Sequence, residues 1–390
     1  YSGGTLAGSS MNWSYDNRAR LATVVAKNGT LALQGASYTY DPAGRLAAVT
    51  DGSSTAAYTY HTNSPLIHSL TFAHNGVTRL VTSRSYDKLN RLLQIASAPS
   101  GASPLSFTYQ YNSANQRTRM TLADGSYWVY QYDALGQVVS GKRYWSDGTP
   151  VAGQQFEYGF DDIGNRKTAA AGGDATGSGL RPATYTANRL NQYSSRTVPA
   201  YVDILGIANP TAAVAVNGNT AYRKGEYFHH ALNVPNSTAQ YPTVTVASQY
   251  GGGQTETGKI FVPPAAESFT YDADGNLTQD GRWTYVWDAE NRLVQMIRNT
   301  GSPAGAQQKL VFEYDHQGRR IRKQFFTYSG GWVKQTDTVF LYEGWNLIAE
   351  LNATANNARV RTYVWGTDLS GSMQGAGGVG GLLKIAYYGT

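Results

Sequence analysis

Between Ser268 and Leu293 the chain alternates apolar and polar positions in short runs separated by turn-forming residues. Ser268-Phe269-Thr270-Tyr271 and Trp283-Thr284-Tyr285-Val286-Trp287 each have period two, the signature of a half-buried strand. Each run ends in an aromatic residue followed by Asp, two spacers, Gly or Asn, a polar residue and Leu. The first copy runs Tyr271-Asp272-Ala273-Asp274-Gly275-Asn276-Leu277, the second Trp287-Asp288-Ala289-Glu290-Asn291-Arg292-Leu293. Asp272 or Asp288 can accept a backbone N–H two residues on and close an Asx-type turn. Gly275 or Asn291 falls where the backbone needs positive φ, which Gly adopts freely and Asn better than most residues. The leucine opens the returning strand. The predicted unit is a β-hairpin with an aromatic at its entry and an aliphatic at its exit.

The same pattern recurs along the chain. Copies begin at Tyr15-Asp16, at Tyr40-Asp41 (with Gly44 and Arg45), at Tyr86-Asp87 (Asn90, Arg91), at Tyr111-Asn112, at Tyr132-Asp133 (Gly136) and at Phe160-Asp161. A shortened copy reads Tyr185 to Leu190. Beyond the pair above, with Arg292 completing its second member, Tyr314-Asp315 (Gly318) and a weaker Tyr342-Glu343 close the series, and a degenerate copy is read at Tyr60-His61. Starts lie mostly about 20 to 28 residues apart, in the range of repeat architectures. A single hairpin cannot bury its own face, so such repeats must stack.

One interval, Tyr185 to Tyr271, is about three times the usual length, which implies an insertion of roughly 60 to 70 residues. Residues 198–266 lack the Tyr-Asp pattern and are rich in Val, Ala, Thr, Asn and Pro. Ala213-Val214-Ala215-Val216 and Thr243-Val244-Thr245-Val246 read as strands, and Asn217-Gly218 is a strong turn signal. The expected organisation is a repeat strip over 1–197, a small inserted β-sandwich similar to bacterial Ig-like modules over 198–266, and a continuing strip over 267–390.

Composition narrows the classes. Tyr (29) and Gly (43) are abundant, and no run of a dozen residues carries a helical period. The absence of cysteine removes disulfides, thiol catalysis and cysteine metal sites together. The net charge is +6, but Lys and Arg are dispersed. The one basic run, Arg319-Arg320-Ile321-Arg322-Lys323, would alternate between the two faces of a strand, which argues against a nucleic-acid surface. No stretch approaches the eighteen or so apolar residues of a membrane span. The chain opens at Tyr1-Ser2-Gly3-Gly4 in mid-repeat and is expected to be a piece of a longer polypeptide.

The Tyr-Asp-x-x-Gly/Asn-Arg-Leu pattern resembles the YD-repeat or Rhs (rearrangement hotspot) family, which includes Rhs and wall-associated bacterial toxins, toxin-complex B and C components, and teneurins. The stretches Arg361-Thr362-Tyr363-Val364-Trp365-Gly366, Asp368-Leu369-Ser370-Gly371 and Gly377-Gly378-Val379-Gly380-Gly381-Leu382-Leu383 are similar to the approach to the Rhs core. The resemblance implies an all-β fold: stacked hairpins forming a spiralling sheet strip that walls a hollow shell around a C-terminal toxin or effector. The family's Asp-Pro protease signature does not carry over, since Asp41-Pro42 belongs to a repeat turn. About eleven hairpins, ~22 strands at ~4.8 Å each, would make a strip ~105 Å long, about one turn of a tube some 34 Å across.

Candidate chemical sites yield to structural readings. Asp272-Ala273-Asp274-Gly275-Asn276 resembles the start of a calcium loop, but the glycine stands fourth and the twelfth position is Trp283. His229 and His230 are adjacent on a strand and point to opposite faces. The tract Gln374 to Gly381 lacks the Lys-Ser/Thr of a phosphate-binding loop and reads as backbone passing tightly against a turn. Carboxylates sit in the turn position of every repeat, without the distinct pair that glycoside hydrolysis needs. Aromatic ladders such as Trp283, Tyr285 and Trp287 fit packing, each pair worth about 0.5 to 1.5 kcal/mol beyond burial. Sequons stand at Asn12, Asn28, Asn236, Asn276 and Asn352. No catalytic residue, metal ligand or cofactor is expected. The expected function is a non-catalytic, extracellular scaffold whose partner is the rest of its own polypeptide. The alternative is an adhesin or filament that binds glycans or itself.

Overall fold

The computed structural model describes residues 4–299 and 301–389. Among them the fold is all-β: antiparallel strands joined by tight turns, with two single-turn 3₁₀ segments, Gly4–Leu6 and Ala353–Ala355. No helix is long and apolar enough to cross a membrane. The chain divides into two compact units, one of residues 1–108, 310–326 and 332–390, the other of residues 109–309 and 327–331.

In the first unit, strands Ser9–Tyr15, Leu21–Asn28, Leu31–Tyr40, Leu46–Thr50, Ser54–Tyr60, Ile67–His74, Val77–Tyr86 and Leu92–Pro99 each pair antiparallel with the next. A second run, Trp332–Glu343, Asn346–Asn352, Ala358–Trp365 and Leu382–Tyr387, is built the same way. One face of each run is apolar at alternate positions, and the two faces close on each other. Ala26 and Leu33 pack against Val339, Leu341, Ile348, Ala349 and Leu351. Tyr38, Leu46, Val49, Tyr58 and Leu70 pack with Val364. Repeat hairpins therefore bury their apolar face on other repeat hairpins, as a structure with one apolar side per sheet requires.

In the second unit, the strands from Arg117–Leu122 to Tyr193–Thr197 form a meander of hairpins, and Tyr193–Thr197 pairs with Ala266–Ser268. The segment between those two strands forms two small sheets. Tyr201–Ile207, Tyr222–Lys224 and Tyr227–Asn233 make one; Ala213–Val216, Asn219–Thr220, Thr243–Gln249 and Gln254–Lys259 make the other. Val214, Val216, Ala221 and Phe228 fill the space between them, with Ile204, Val244 and Val246 alongside. The segment leaves and re-enters the repeats at one place, where the Val198 N–H donates to the Ala265 carbonyl at 2.8 Å. It also lies down on the repeat strands: the Tyr227 hydroxyl donates to the Ala152 carbonyl at 2.6 Å and Lys224 Nζ reaches Asp147 Oδ2 at 2.6 Å.

One repeat is placed differently from its sequence reading. The corner read at Tyr185 to Leu190 is formed by Asn188 to Gln192: the Asn188 N–H donates to the Gln192 carbonyl at 2.8 Å, and Asn191 has φ 61°. Asn188 takes the place of the aspartate and Asn191 that of the glycine, while Tyr185 lies inside the strand Leu180–Ala187. The aromatic drew the reading to the wrong register; the capping amide and the residue able to adopt positive φ set the turn.

Candidate functional site

The chemistry that the sequence repeats most often is concentrated at the hairpin corners. At each corner the aspartate N–H donates to the carbonyl four residues on, and the N–H of the Gly or Asn donates back to the aspartate carbonyl. The distances are 2.9 and 2.9 Å at Asp41/Gly44, 3.0 and 3.0 Å at Asp87/Asn90, and 3.0 and 3.1 Å at Asp133/Gly136. They are 3.0 and 3.2 Å at Asp272/Gly275, 3.0 and 3.0 Å at Asp288/Asn291, and 3.0 and 3.0 Å at Asp315/Gly318. The loop residue before the returning strand has φ 84° at Gly44, 62° at Asn90, 82° at Gly136, 87° at Gly275, 57° at Asn291 and 77° at Gly318. This is a three-residue hairpin loop ending in a left-handed residue, and it inserts one unpaired residue into the ladder. The register accordingly slips at Tyr40, Tyr86, Tyr132, Tyr271 and Trp287.

The aspartate side chain fills the corner. Asp41 Oδ1 accepts the Arg45 N–H at 2.8 Å and Oδ2 accepts Arg45 Nε at 2.7 Å. Asp87 and Arg91, Asp288 and Arg292, and Asp315 and Arg319 repeat this arrangement. At Asp133 and Asp272 the partners are the amides of Gln137 and Asn276. The Arg20 guanidinium and backbone N–H pull Asp16 down to about 2. Burial pushes the Asp41 carboxyl up, but Arg45 outweighs it and leaves Asp41 below its ordinary value. Asp87, Asp272, Asp288 and Asp315 are likewise held below the ordinary carboxylate value by their corner partners, the opposite of the raised value that a general acid needs.

Many of the corners are latched to the one before. The Tyr40 hydroxyl donates to the Leu21 carbonyl (2.9 Å), Tyr60 to Leu46 (2.7 Å), Tyr86 to Ile67 (3.3 Å) and Tyr132 to Arg117 (2.7 Å). Tyr271 donates to Tyr193 (2.9 Å), and the indole N–H groups of Trp287 and Trp365 donate to Leu277 (2.8 Å) and Leu347 (2.6 Å). The acceptor is the carbonyl at or beside the start of the preceding repeat's returning strand, the group that the bulge leaves free. The corner arginine completes the latch by lying over the next aromatic: Arg20 is 4.2 Å from the Tyr40 ring centroid and Arg45 4.3 Å from that of Tyr60. Arg45 Nη1 also donates to the Ser64 carbonyl at 2.7 Å. The arginine before the leucine, expected from the sequence as a structural residue of the repeat, has this contact as its specific role. The repeated Asp-to-Arg spacing of four was the signal.

Corners at the opposite strand ends escaped the reading altogether. Leu122 to Ser126, Trp145 to Thr149 and Asp174 to Ser178 close with the same pair of backbone bonds, around Gly125, Gly148 and Gly177. They lack the leading Tyr-Asp pair, so only the Asp-Gly or Thr-Gly step marks them.

The other candidates resolve as follows. Asp272 Oδ1 caps the N–H groups of Asp274 and Asn276. In the basic run, Arg319 is held by Asp315 and the Gly344 carbonyl, and Arg322 by Asp337 and Glu313. Arg322 outweighs burial at Asp337, with Gln324 and Lys334 adding to it, and holds that carboxyl far below its usual range. Gly378 passes the turn at Asn346 so closely that an added Cβ would lie 2.6 Å from Asn346 Oδ1. His229 is buried, with Nε2 2.7 Å from Asp203 Oδ1, and His230 is half-buried. No cluster of three metal-ligating side chains occurs among the described residues. The amide of sequon Asn236 is buried, donating to the Val198 and Pro263 carbonyls, and that of Asn276 donates to Asp272.

A sequence profile of the RHS Repeat family matches residues 86–127 and 111–149. Over 100 residues the chain is 32% identical to the tRNA3(Ser)-specific nuclease WapA of Bacillus spizizenii and to the tRNA nuclease WapA of Bacillus subtilis; each match covers 26% of this chain and 4% of the relative. Among solved structures, the Photorhabdus luminescens Tc holotoxin pore aligns with 92% of this chain and 22% of its own, at 12% identity and a TM-score of 0.35. The TcdB2-TccC3-Cdc42 structure aligns with 92% and 23%, at 11% identity and a TM-score of 0.33.

Proposed function

This is a YD/Rhs-repeat protein, a structural repeat scaffold, and on that premise we propose that it is a wall segment of an extracellular shell that encloses an effector carried on the same polypeptide. The observation that carries this reading is the corner latch. The aspartate, arginine and aromatic of a well-formed corner are spent on that corner or on the neighbouring one, as at Asp41, Arg45 and Tyr40. Among the described corner residues, no carboxylate is set apart from the others as an acid or base would be. A surface of such corners acts by exclusion: its amides are in ladders and its turns are short, which leaves a protease little extended chain to bind. The inserted sandwich, which we read as an Ig-like module, would be a contact element on that wall.

The test is protease protection in the longer polypeptide. A segment enclosed by the wall resists digestion while the wall is folded and is cut once the wall is denatured. Equal cleavage of that segment with and without the folded wall would overturn the reading. The alternative, an adhesin or filament, draws on the strand Leu382–Tyr387, which pairs on one side only among the described residues and exposes Tyr387. An open edge of this kind accepts another strand. Concentration-dependent assembly of the purified chain would favour that alternative.

A further inference from the structure

Independently of the shell reading, the geometry points to a binding site for a small amphipathic monocarboxylate, an unbranched acyl chain with a carboxylate head, between the two sheet faces of the first unit. A cavity of about 420 Å³ opens there, within the size range of small-ligand sites. Its floor is one cross-strand row: Val49 pairs with Ala56, Ala56 with Phe72 and Phe72 with Leu80. At ~4.8 Å between strands the row is ~14 Å long. Val364 and Leu383 of the facing run supply the opposite wall. Residue size is what leaves the space. One row further along, Tyr58 pairs with Leu70, and both join Val364 in the packed core. In the floor row the strand of Tyr58 carries only alanine, and the gap to the facing run stays open.

Polar groups line one side of this floor. In the strands of Ala56 and Phe72, two places on, Ser54 pairs with His74, and the Ser54 hydroxyl lies 3.0 Å from His74 Nδ1. Lys384 reaches across from the facing run: its Nζ donates to Asp51 and, at 2.9 Å, to the Ser54 hydroxyl. Asp51 also accepts the N–H groups of Ser53 and Ser54, so its oxygens are occupied. Arg79 is the charge left over. It is exposed, lines the same cavity, and makes no side-chain hydrogen bond or ion pair among the described residues.

Two backbone irregularities bring the basic residues to this space. Opposite Phe72 and Ala73 the ladder skips Arg79, and opposite Val364 and Trp365 it skips Leu383. Each is a bulge, where two residues face one and the strict alternation of sides breaks. Arg79 therefore lines the cavity together with its neighbour Leu80, and Leu383 together with Lys384. At each bulge one apolar and one basic residue enter the same space. Two cations against one carboxylate, beside an apolar trough, suit a ligand with a single negative head and an apolar tail. A neutral hydrocarbon would leave Arg79 unmatched, and a small inorganic anion would leave the trough unfilled.

The test is calorimetric titration of the full chain with decanoate below its micelle concentration, with decanol and acetate as the tail and the head alone. Decanoate is expected to bind saturably at a single class of site, with the negative heat-capacity change of apolar burial. Acetate should give no binding. Arg79→Gln changes only an exposed side chain and should weaken decanoate about tenfold while leaving decanol unchanged. Ala56→Leu fills the floor and should abolish binding of both, with a melting temperature no lower than the parent's. Should Ala56→Leu fail to fold, the comparison of decanoate with decanol in Arg79→Gln decides. No saturable decanoate binding, or equal affinity in the parent and Arg79→Gln, overturns the proposal. Binding of an acidic, leucine-rich peptide in the absence of any decanoate binding would overturn it too, and would make the cavity a docking site for protein.

Discussion

The hydroxyl of Tyr271 donates to the backbone carbonyl of Tyr193 at 2.9 Å, although 78 positions of sequence separate them. The same aromatic-to-carbonyl latch joins corners that follow each other directly, such as Tyr60 and Leu46. Repeat stacking therefore passes the insertion without a gap. The insert is a detour at one strand end and does not interrupt the pattern.

That relationship predicts the outcome of removing the detour. Replacing residues 199–264 with Asn-Gly joins Val198 to Ala265 through a two-residue hairpin turn, across strands that already pair. The shortened chain should keep a strand-type circular dichroism spectrum and a cooperative melt, losing the Tyr227–Ala152 and Lys224–Asp147 contacts. An aggregated product, or one without a transition, would show that the insert is needed to hold the repeats.

Positive φ at the corners makes a second prediction. Gly275 has φ 87° and Gly44 φ 84°. Valine at either should cost about 1 to 3 kcal/mol in denaturant unfolding, through backbone strain alone. Asparagine, which other corners use at this position, should cost far less. Equal losses for Val and Asn would contradict the turn geometry.

The corner arginine is more than a charge. Arg45 donates to Asp41 and to the Ser64 carbonyl and covers the Tyr60 ring. Lysine keeps the charge but not the planar fork, so Arg45→Lys should lose about 1 to 2 kcal/mol in chemical denaturation. A value near zero would mean that this partly exposed group contributes only as a surface ion pair.

Acid should weaken the fold over a defined range. Asp16 is lowered to about 2, and Asp41, Asp272 and Asp337 are lowered as well. A depressed carboxylate stabilises the fold above its unfolded value of about 3.9, and that stability is lost as pH falls through its folded value. The melting temperature should be nearly flat from pH 7 to pH 5 and drop between about pH 4 and pH 2. Asp16→Asn should shrink that drop. A fall already under way between pH 7 and pH 6 would point to histidine.

How much of this could be read from the sequence depends on which group enforces each feature. Period-two runs and Asp-x-x-Gly/Asn steps are local, so the hairpins and the positive-φ sites at Gly44, Gly275 and Asn291 were legible. The Asn188 corner was misplaced because Tyr185 supplied the aromatic while Asn188 and Asn191 supplied the turn. The latch from Tyr271 to Tyr193 and the packing of Ala26 and Leu33 on Leu341 and Leu351 were not legible. They depend on which hairpin lies beside or above which, and identical repeats carry no label for that.

The central claim is that latched corners bind neighbouring hairpins into one cooperative wall. Native-state hydrogen exchange on Tyr271→Phe tests it most directly. The variant loses one hydroxyl and leaves the Tyr193 carbonyl without its donor. The account predicts faster exchange at the Asp272 corner and also at the Asn188 corner before it, together with a stability loss of about 0.5 to 1.5 kcal/mol. Faster exchange at the Asp272 corner alone, with the Asn188 corner unchanged, would mean that the hairpins stand independently and would contradict the account.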